Sequence, residues 1–375
     1  MRILYWTQHF WPYVGGVEVQ AAQFLPAMRS RGHQFIVVTS HGDLPLPDEA
    51  TYDGVPVERF PFLSSLASAD PDTLLRTSRR VAMLKQRFRP ELVHVQFTDP
   101  SVFFHVRTAA VCPAPCLVTI GLALPTGPGT GRAQTLLGQT LRSAAWVTAP
   151  SEAILGDVCS LVPEIVDRSS VIYNALEWPD LPPARLPRED PVLVCVGRVV
   201  DEKGLDLTVA AFALVLARVP RARLVIVGDG PARPALERQA ASLGISARVR
   251  FAGWVAPEHV PAQINEATVV VMSSRWREAF GLVALQAGQM ARPVVATRVG
   301  GLPEVVLDGE TGLIVPPEDP EALARALIFL LEHPEEAARF GHAGRLRAER
   351  TFGWGDYVEA YDRLYHTLCP GGSSC

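Results

Sequence analysis

One pattern constrains this chain more than any other, and it is written twice. Short runs of Val, Ile and Leu are each followed by a Gly-rich turn and then by a stretch of helical period. Runs apolar on both faces are strands buried on both faces, and intervening helices force parallel pairing, so the pattern specifies βαβ units. In the first half the expected strands are 3–6, 35–39, 92–96, 116–120 and 146–149. A helix over 17–31 places Val17, Ala21, Phe24, Leu25 and Met28 on one face. The second half begins again, with strands at 192–196, 224–227, 249–251, 269–272 and 294–297. Between the halves, residues 174–191 carry Pro179, Pro182, Pro183, Pro187 and Pro191, a density that neither a helix nor a central strand tolerates. The fold class is therefore α/β, two Rossmann-like doubly wound sheets joined by a linker. The expected domains are 1–175 and 176–354, then a helix over 355–369 and a frayed tail over 370–375.

A length of 375 residues allows two such domains. With 48% hydrophobic and 20% charged residues the composition is that of a globular protein, which excludes a disordered chain and a multi-pass membrane protein. A net charge of −4 supplies no field for nucleic acid, so no nucleic-acid partner is expected. The apolar run at Met1–Trp6 is too short for a signal sequence, and the cytoplasm is the expected compartment. The six cysteines, including Cys112 and Cys116, match neither a zinc knuckle nor a redox pair and read as free thiols.

Sheets of this kind bind ligands beyond the carboxyl ends of their strands, so the loops there carry the chemistry. Gly15 and Gly16 follow the first strand and open the first helix, where backbone amides with no Cβ can approach an anion. Gly197 and Arg198 end the first strand of the second half, and Lys203 stands at the start of the next helix. Two cations a short loop apart make a diphosphate clamp. The densest stretch is Glu278, Ala279, Phe280, Gly281 and Leu282, preceded by Ser273 and Ser274. A carboxylate beside a phosphate site is repelled unless something neutral and rich in hydroxyls lies between, and a sugar fits that description.

On these residues, on 12–18, 227–231 and 251–255, and on the stretch from Ser273 to Pro317 with Gly300, Gly301 and Glu304, the chain resembles the retaining GT-B glycosyltransferases of family 4. The resemblance implies two domains facing a cleft and a last helix that crosses back to the first domain. It implies transfer of a hexosyl or hexosaminyl group from a nucleoside diphosphate sugar, with a UDP-sugar expected, to a hydroxyl of a small-molecule, glycan or lipid-linked acceptor. Carried over, Arg198 and Lys203 hold the diphosphate, Gly15 and Gly16 (with Gly197) approach it closely, and Glu278 holds sugar hydroxyls. Phe280, Gly281 and Leu282 contact the donor through backbone amides, and Trp254 and Val255 lie near the base. The nucleoside diphosphate sugar is a co-substrate and no cofactor is expected. No Asp-x-Asp pair stands near a strand end, which agrees with a metal-independent reaction.

Two positions depart from the family pattern. A second glutamate, which there receives the ribose hydroxyls, is Gln286 here; an amide still accepts a hydrogen bond, without the strength that a full charge adds. A histidine near the reacting sugar is replaced by Gly121, which leaves His9 and His94 as candidate imidazoles on the acceptor side, and the loop 125–131 as a source of another group. These departures also fit a degenerate relative that binds nucleotide sugar without transferring it, and a nucleotide-sugar epimerase is a further alternative. The first loop lacks the Gly-x-Gly-x-x-Gly spacing of a dehydrogenase. Finally, Arg76, Arg79, Arg80, Lys85, Arg87 and Arg89 interleave with apolar residues and offer a weak peripheral contact with the inner membrane face. A solvated face above a core face is the plainer reading, since residues 1–175 hold 14 basic and 14 acidic side chains.

Overall fold

The structure is a computed structural model, described here for residues 1–68, 70–96, 99–124, 132 and 134–370. The chain forms two compact units, Met1–Tyr173 with Gly355–Cys375, and Asn174–Trp354.

Unit 1 contains β1 (Arg2–Trp6), β2 (Gln34–Ser40), β3 (Glu49–Tyr52), β4 (Val55–Phe60), β5 (Leu92–Val95), β6 (Cys116–Thr119), β7 (Trp146–Ala149) and β8 (Ser169–Val171). They form one sheet in the order β3-β4-β2-β1-β5-β6-β7-β8, parallel except where β3 runs against β4. Three of these strands, β3, β4 and β8, lie outside the expected set. The hairpin has a readable cause, because Asp53 and Gly54 both take positive φ, 45° and 73°, in the two-residue turn that Asp-Gly favours. The expected strands β1, β2, β5, β6 and β7 are all present within a residue or two of their expected bounds.

The first helix, Gly16–Ser30, buries Gln20, Ala21, Phe24, Leu25 and Met28 along one side and accommodates Pro26. The last helix, Trp354–Leu368, belongs to unit 1 and buries Tyr357, Val358, Tyr361 and Tyr365. Phe24 meets Tyr357 and Tyr361 edge-on, with ring centroids 5.7 and 5.3 Å apart. At its rim Asp362 receives the Arg31 guanidinium at 2.9 Å and lies 2.7 Å from His33 Nε2.

The basic stretch around residues 76–89 is corrected at one position, Lys85. It lies on the helix Pro71–Phe88, but Lys85 is buried at 1% exposure, its ammonium donating to the His105 carbonyl at 3.1 Å. Burial pushes the Lys85 pKa down to about 8. Arg80 is held by Asp48 at 2.8 Å, Arg87 pairs with Glu58, and Arg76 donates to Thr73. Lys85 is therefore core, Arg76, Arg80 and Arg87 bond within the fold at the surface, and Arg79 and Arg89 are exposed with no side-chain partner among the described residues. No helix among the described residues is long and apolar enough to cross a membrane.

Unit 2 contains β9 (Val192–Val196), β10 (Arg223–Val227), β11 (Val249–Gly253), β12 (Val269–Met272), β13 (Val294–Thr297) and β14 (Gly312–Val315). All are parallel, in the order β11-β10-β9-β12-β13-β14. Strand β14 lies outside the expected set. Leu193, Phe212, Leu224, Ile226, Val269 and Leu327 anchor a core between sheet and helices.

Candidate active site

The strand order of unit 2 reverses at β9, which lies between β10 and β12. Chains leaving β9 and β12 diverge to opposite sides of such a sheet, and the gap beyond their carboxyl ends is where open α/β sheets take ligands. Every residue of the diphosphate clamp and of the Glu278 stretch falls on those two loops.

Beyond β9, Gly197 takes φ 144° and Arg198 follows, exposed, with no side-chain hydrogen bond or ion pair among the described residues. Lys203 closes a short 3₁₀ turn, Asp201–Lys203, ahead of the helix Leu205–Arg218. Beyond β12, Ser273 Oγ donates to the Gly204 carbonyl at 2.8 Å and receives the Thr208 hydroxyl at 2.7 Å, so the two loops are stitched together. The contact is close because residue 204 is glycine: a Cβ there would stand 2.1 Å from the Ser273 carbonyl oxygen.

Glu278 sits in the second loop, half-buried, and its Oε1 accepts from Ser274 Oγ at 2.6 Å and from the Lys203 ammonium. With no donor bound, the Lys203 ammonium and the Glu278 carboxylate meet directly as an ion pair. The Glu278 backbone is clamped too, its carbonyl receiving the Gly301 N–H at 2.8 Å. Next, Gly281 at φ 108° caps the helix Leu282–Gln289, and the Gly281 and Leu282 N–H groups find no partner among the described residues. Phe280 turns its ring into the core, 5.2 Å from Phe352. Gln286, one turn into that helix, is half-buried with a side-chain amide that bonds to nothing described. Trp254 follows β11 at 62% exposure, with Val255 half-buried beside it.

Two residues that sequence reasoning missed shape this loop. The Arg275 guanidinium grips Asp206 with two bonds of 2.8 and 2.9 Å and donates to Glu318 at 2.6 Å, which holds its pKa above the arginine range. It pins the Glu278 loop to the helix that follows Lys203. Trp276, two residues before Glu278, stands 63% exposed at the same edge. An arginine and a tryptophan between a serine pair and a glutamate were the available signal.

In unit 1 the order reverses between β1 and β5. Gly15 is the N-cap of the first helix, in extended backbone, and Gly16 is that helix's first residue. Gly121 faces the same helix start, where a Cβ would come within 3.2 Å of Val17 Cγ2. His9 lies in the loop after β1, half-buried, and burial lowers its pKa. His94 is a correction. It sits within β5 under the last helix, with Tyr365 OH 2.6 Å from Nδ1 and Thr119 Oγ1 2.8 Å from Nε2. Full burial pushes its pKa down to about 3, and both nitrogens are occupied, so it is a core residue and not a group open to substrate. The loop 125–131 lies outside the described residues.

Among the described residues one group carries three candidate metal ligands, His33, Asp362 and His366, at the last helix. Arg31 shares Asp362 there, and the group joins the last helix to the turn before β2, away from either switch-point loop.

Comparison with known proteins agrees with this layout. A family model described as Glycosyltransferase Family 4 matches residues 14–177, and one described as Glycosyl transferases group 1 matches residues 178–347. The GDP-mannose-dependent alpha-(1-6)-phosphatidylinositol monomannoside mannosyltransferase of Mycolicibacterium smegmatis is 41% identical over 170 residues, 44% of this chain and 44% of its own length. The glycogen synthase of Mycobacterium tuberculosis is 28% identical over 399 residues, 97% of this chain and 94% of that protein. The sucrose-phosphate synthase of Thermosynechococcus elongatus superposes with a TM-score of 0.83 at 23% identity, over 99% of this chain and 100% of that one, a likeness of fold. Since the two family models meet at residues 177 and 178 and together span 14–347, the chain belongs to the GT-B glycosyltransferases of family 4.

Proposed function

We propose that this glycosyltransferase moves a hexosyl or hexosaminyl group from a nucleoside diphosphate sugar, a UDP-sugar in the first instance, to a hydroxyl of its acceptor, with retention at the anomeric carbon and without a metal. The observation that carries the reading is the convergence, at the β9–β12 switch point, of an unpartnered Arg198, the Lys203–Glu278 pair and the bare Gly281 and Leu282 N–H groups.

In this reading Arg198 and Lys203 bind the diphosphate. As the bond from the anomeric carbon to the phosphate breaks, they stabilise the charge that grows on the leaving oxygens. The Lys203–Glu278 pair is worth about 1 kcal/mol at its partial exposure, so a diphosphate can draw the ammonium away at little cost. The released carboxylate then accepts hydrogen bonds from sugar hydroxyls. The unpartnered N–H groups at the start of the helix Leu282–Gln289 supply further donors, and Gln286 accepts a ribose hydroxyl. Replacing a carboxylate by an amide at that last contact weakens donor binding by about 1 kcal/mol, a few-fold in affinity.

Retention asks for attack on the face that the diphosphate leaves, with the phosphate oxygen taking the acceptor proton. The protein contributes positioning and a fixed positive field. The donor named for the Mycolicibacterium relative, GDP-mannose, is the natural competitor in a donor panel. The test is turnover of UDP-glucose, UDP-N-acetylglucosamine and GDP-mannose with polyol and sugar acceptors, in the presence of a chelator, with the anomeric proton signals of the product followed by NMR. An α-linked product from an α-linked donor, unaffected by chelation, is expected. An inverted product, or activity abolished by chelation, refutes the corresponding part of the proposal.

A further inference from the structure

The strand order of unit 1 reverses between β1 and β5, and the segments leaving those strands carry two polar groups that the fold leaves unsatisfied. Asp99, beyond β5, is only 3% exposed; its Oδ1 accepts the Ser101 N–H at 2.6 Å, while its Oδ2 has no partner among the described residues. Ser101 is itself fixed, because the Trp6 indole N–H at the end of β1 donates to its Oγ at 2.8 Å. His9 stands three residues past β1, half-buried, its ring centroid 4.7 Å from that of Tyr13. Its Nδ1 is sealed from solvent with no partner among the described residues, whereas Nε2 is not sealed and bonds to no described residue.

A buried polar atom without a partner costs about 1–3 kcal/mol. Two of them at the one place where a doubly wound sheet takes ligands call for a use. The groups also feel each other, since the Asp99 charge raises the His9 pKa against its burial and His9 lowers that of Asp99 against its own; Asp43 is the other carboxylate that acts on His9. No hydrogen bond joins Nδ1 to Oδ2 in the free chain, and such bonds commonly close only when a site fills.

We propose that Asp99 receives the His9 Nδ1–H and holds the imidazole with its Nε2 lone pair outward, where it accepts a hydrogen bond from a non-reacting hydroxyl of a polyhydroxylated acceptor. His9 then selects a sugar or polyol over a simple alcohol, and Asp99 is a positioning residue that acts through the ring. This deepens the transfer reading above and rests on it for the identity of the ligand. The imidazole stays neutral throughout, so no proton is gained or lost at His9 during transfer. The pair also supplies an imidazole at unit 1's ligand edge, where position 121 carries none.

The Asp99→Asn variant separates the possibilities. Asparagine keeps an oxygen for the Ser101 N–H and places an N–H where Oδ2 stood, which reverses the tautomer of the ring. Nitrogen-15 NMR of the His9 ring in the full chain, with a polyol or sugar at saturating concentration, reads this without turnover: Nδ1–H is expected in the wild type and Nε2–H in the variant. With a working donor, the variant's KM for a sugar or polyol acceptor should rise about tenfold, as for one lost hydrogen bond. Donor KM, and transfer to a simple alcohol, should not change. A wild-type ring in the Nε2–H form with the polyol bound, or a variant with unaltered ring and acceptor KM, overturns the proposal. If no donor is turned over at all, the transfer reading falls, and the ring measurement still decides the pairing.

Discussion

Gly300→Ala is the most demanding perturbation of the Glu278 loop that does not touch Glu278 itself. Gly300 takes φ +53°, and a Cβ built on it lies 2.0 Å from the Glu278 carbonyl oxygen and 2.8 Å from the Glu278 nitrogen. Side-chain carbons do not approach backbone closer than 3.0 Å, so the Glu278 carbonyl must retreat by 3.0 − 2.0 = 1.0 Å and weaken its bond from Gly301. A shift of about 1 Å in a positioning group costs on the order of 100-fold in rate. The left-handed backbone adds about 1–2 kcal/mol of instability for any residue with a Cβ. The control is Gly309→Ala, where φ is +75° and no atom lies within 4 Å of the added Cβ. It carries the backbone penalty alone. Thermal unfolding and nucleoside diphosphate release, measured on both variants, should show both destabilised and only Gly300→Ala slowed, by about 100-fold in kcat/KM. Equal turnover in the two variants would refute the claim that the close approach of residue 300 sets the Glu278 backbone.

Unit 1 should be acid-labile for an identifiable reason. His94 and His105 are buried neutral with pKa values pushed down to about 3, whereas the unfolded chain protonates them near 6.5. Their contribution is complete above that value and is lost as pH falls through the window below it, about 2 kcal/mol from each at pH 5. Urea unfolding at pH 7.5 and pH 5 checks this, with a shallower pH slope expected for His94→Gln; an unchanged slope would contradict the burial argument. Gln286→Glu should tighten nucleotide sugar binding a few-fold by restoring charge to a ribose contact, read by calorimetry, and weaker binding would remove Gln286 from the site.

Much of this was legible in the sequence because it was local. The strand runs at 192–196 and 269–272 and the glycines beside them set the β9 and β12 loops, and with them the neighbourhood of Arg198, Lys203 and Glu278. The Asp53-Gly54 hairpin was equally local, and although β3 and β4 lie outside the expected strands, its turn residues were the signal for them. The site residues that escaped were settled by partners distant along the chain. Lys203 meets Glu278 75 residues away, and His94 meets Tyr365 271 residues away, which turns a candidate ligand group into core. Lys85 reads as one more cation in a basic row until its helix packs and His105 closes over it. Periodicity assigns such residues to a face, but only tertiary packing decides whether that face meets water.

The central claim is that the β9–β12 switch point of unit 2 holds the diphosphate of the donor, and calorimetric titration of UDP, UDP-glucose and GDP-mannose into the wild type and Arg198→Ala tests it directly. Arg198 is exposed and bonds to nothing described, so its removal should leave thermal stability within about 0.5 kcal/mol. Losing a charge-assisted contact to phosphate should weaken binding by about 1.5–3 kcal/mol, tenfold or more. That result, an unchanged fold with donor affinity down at least tenfold, is the one this account predicts. Undiminished affinity in Arg198→Ala, or no binding of any of the three ligands at millimolar concentration, would contradict it.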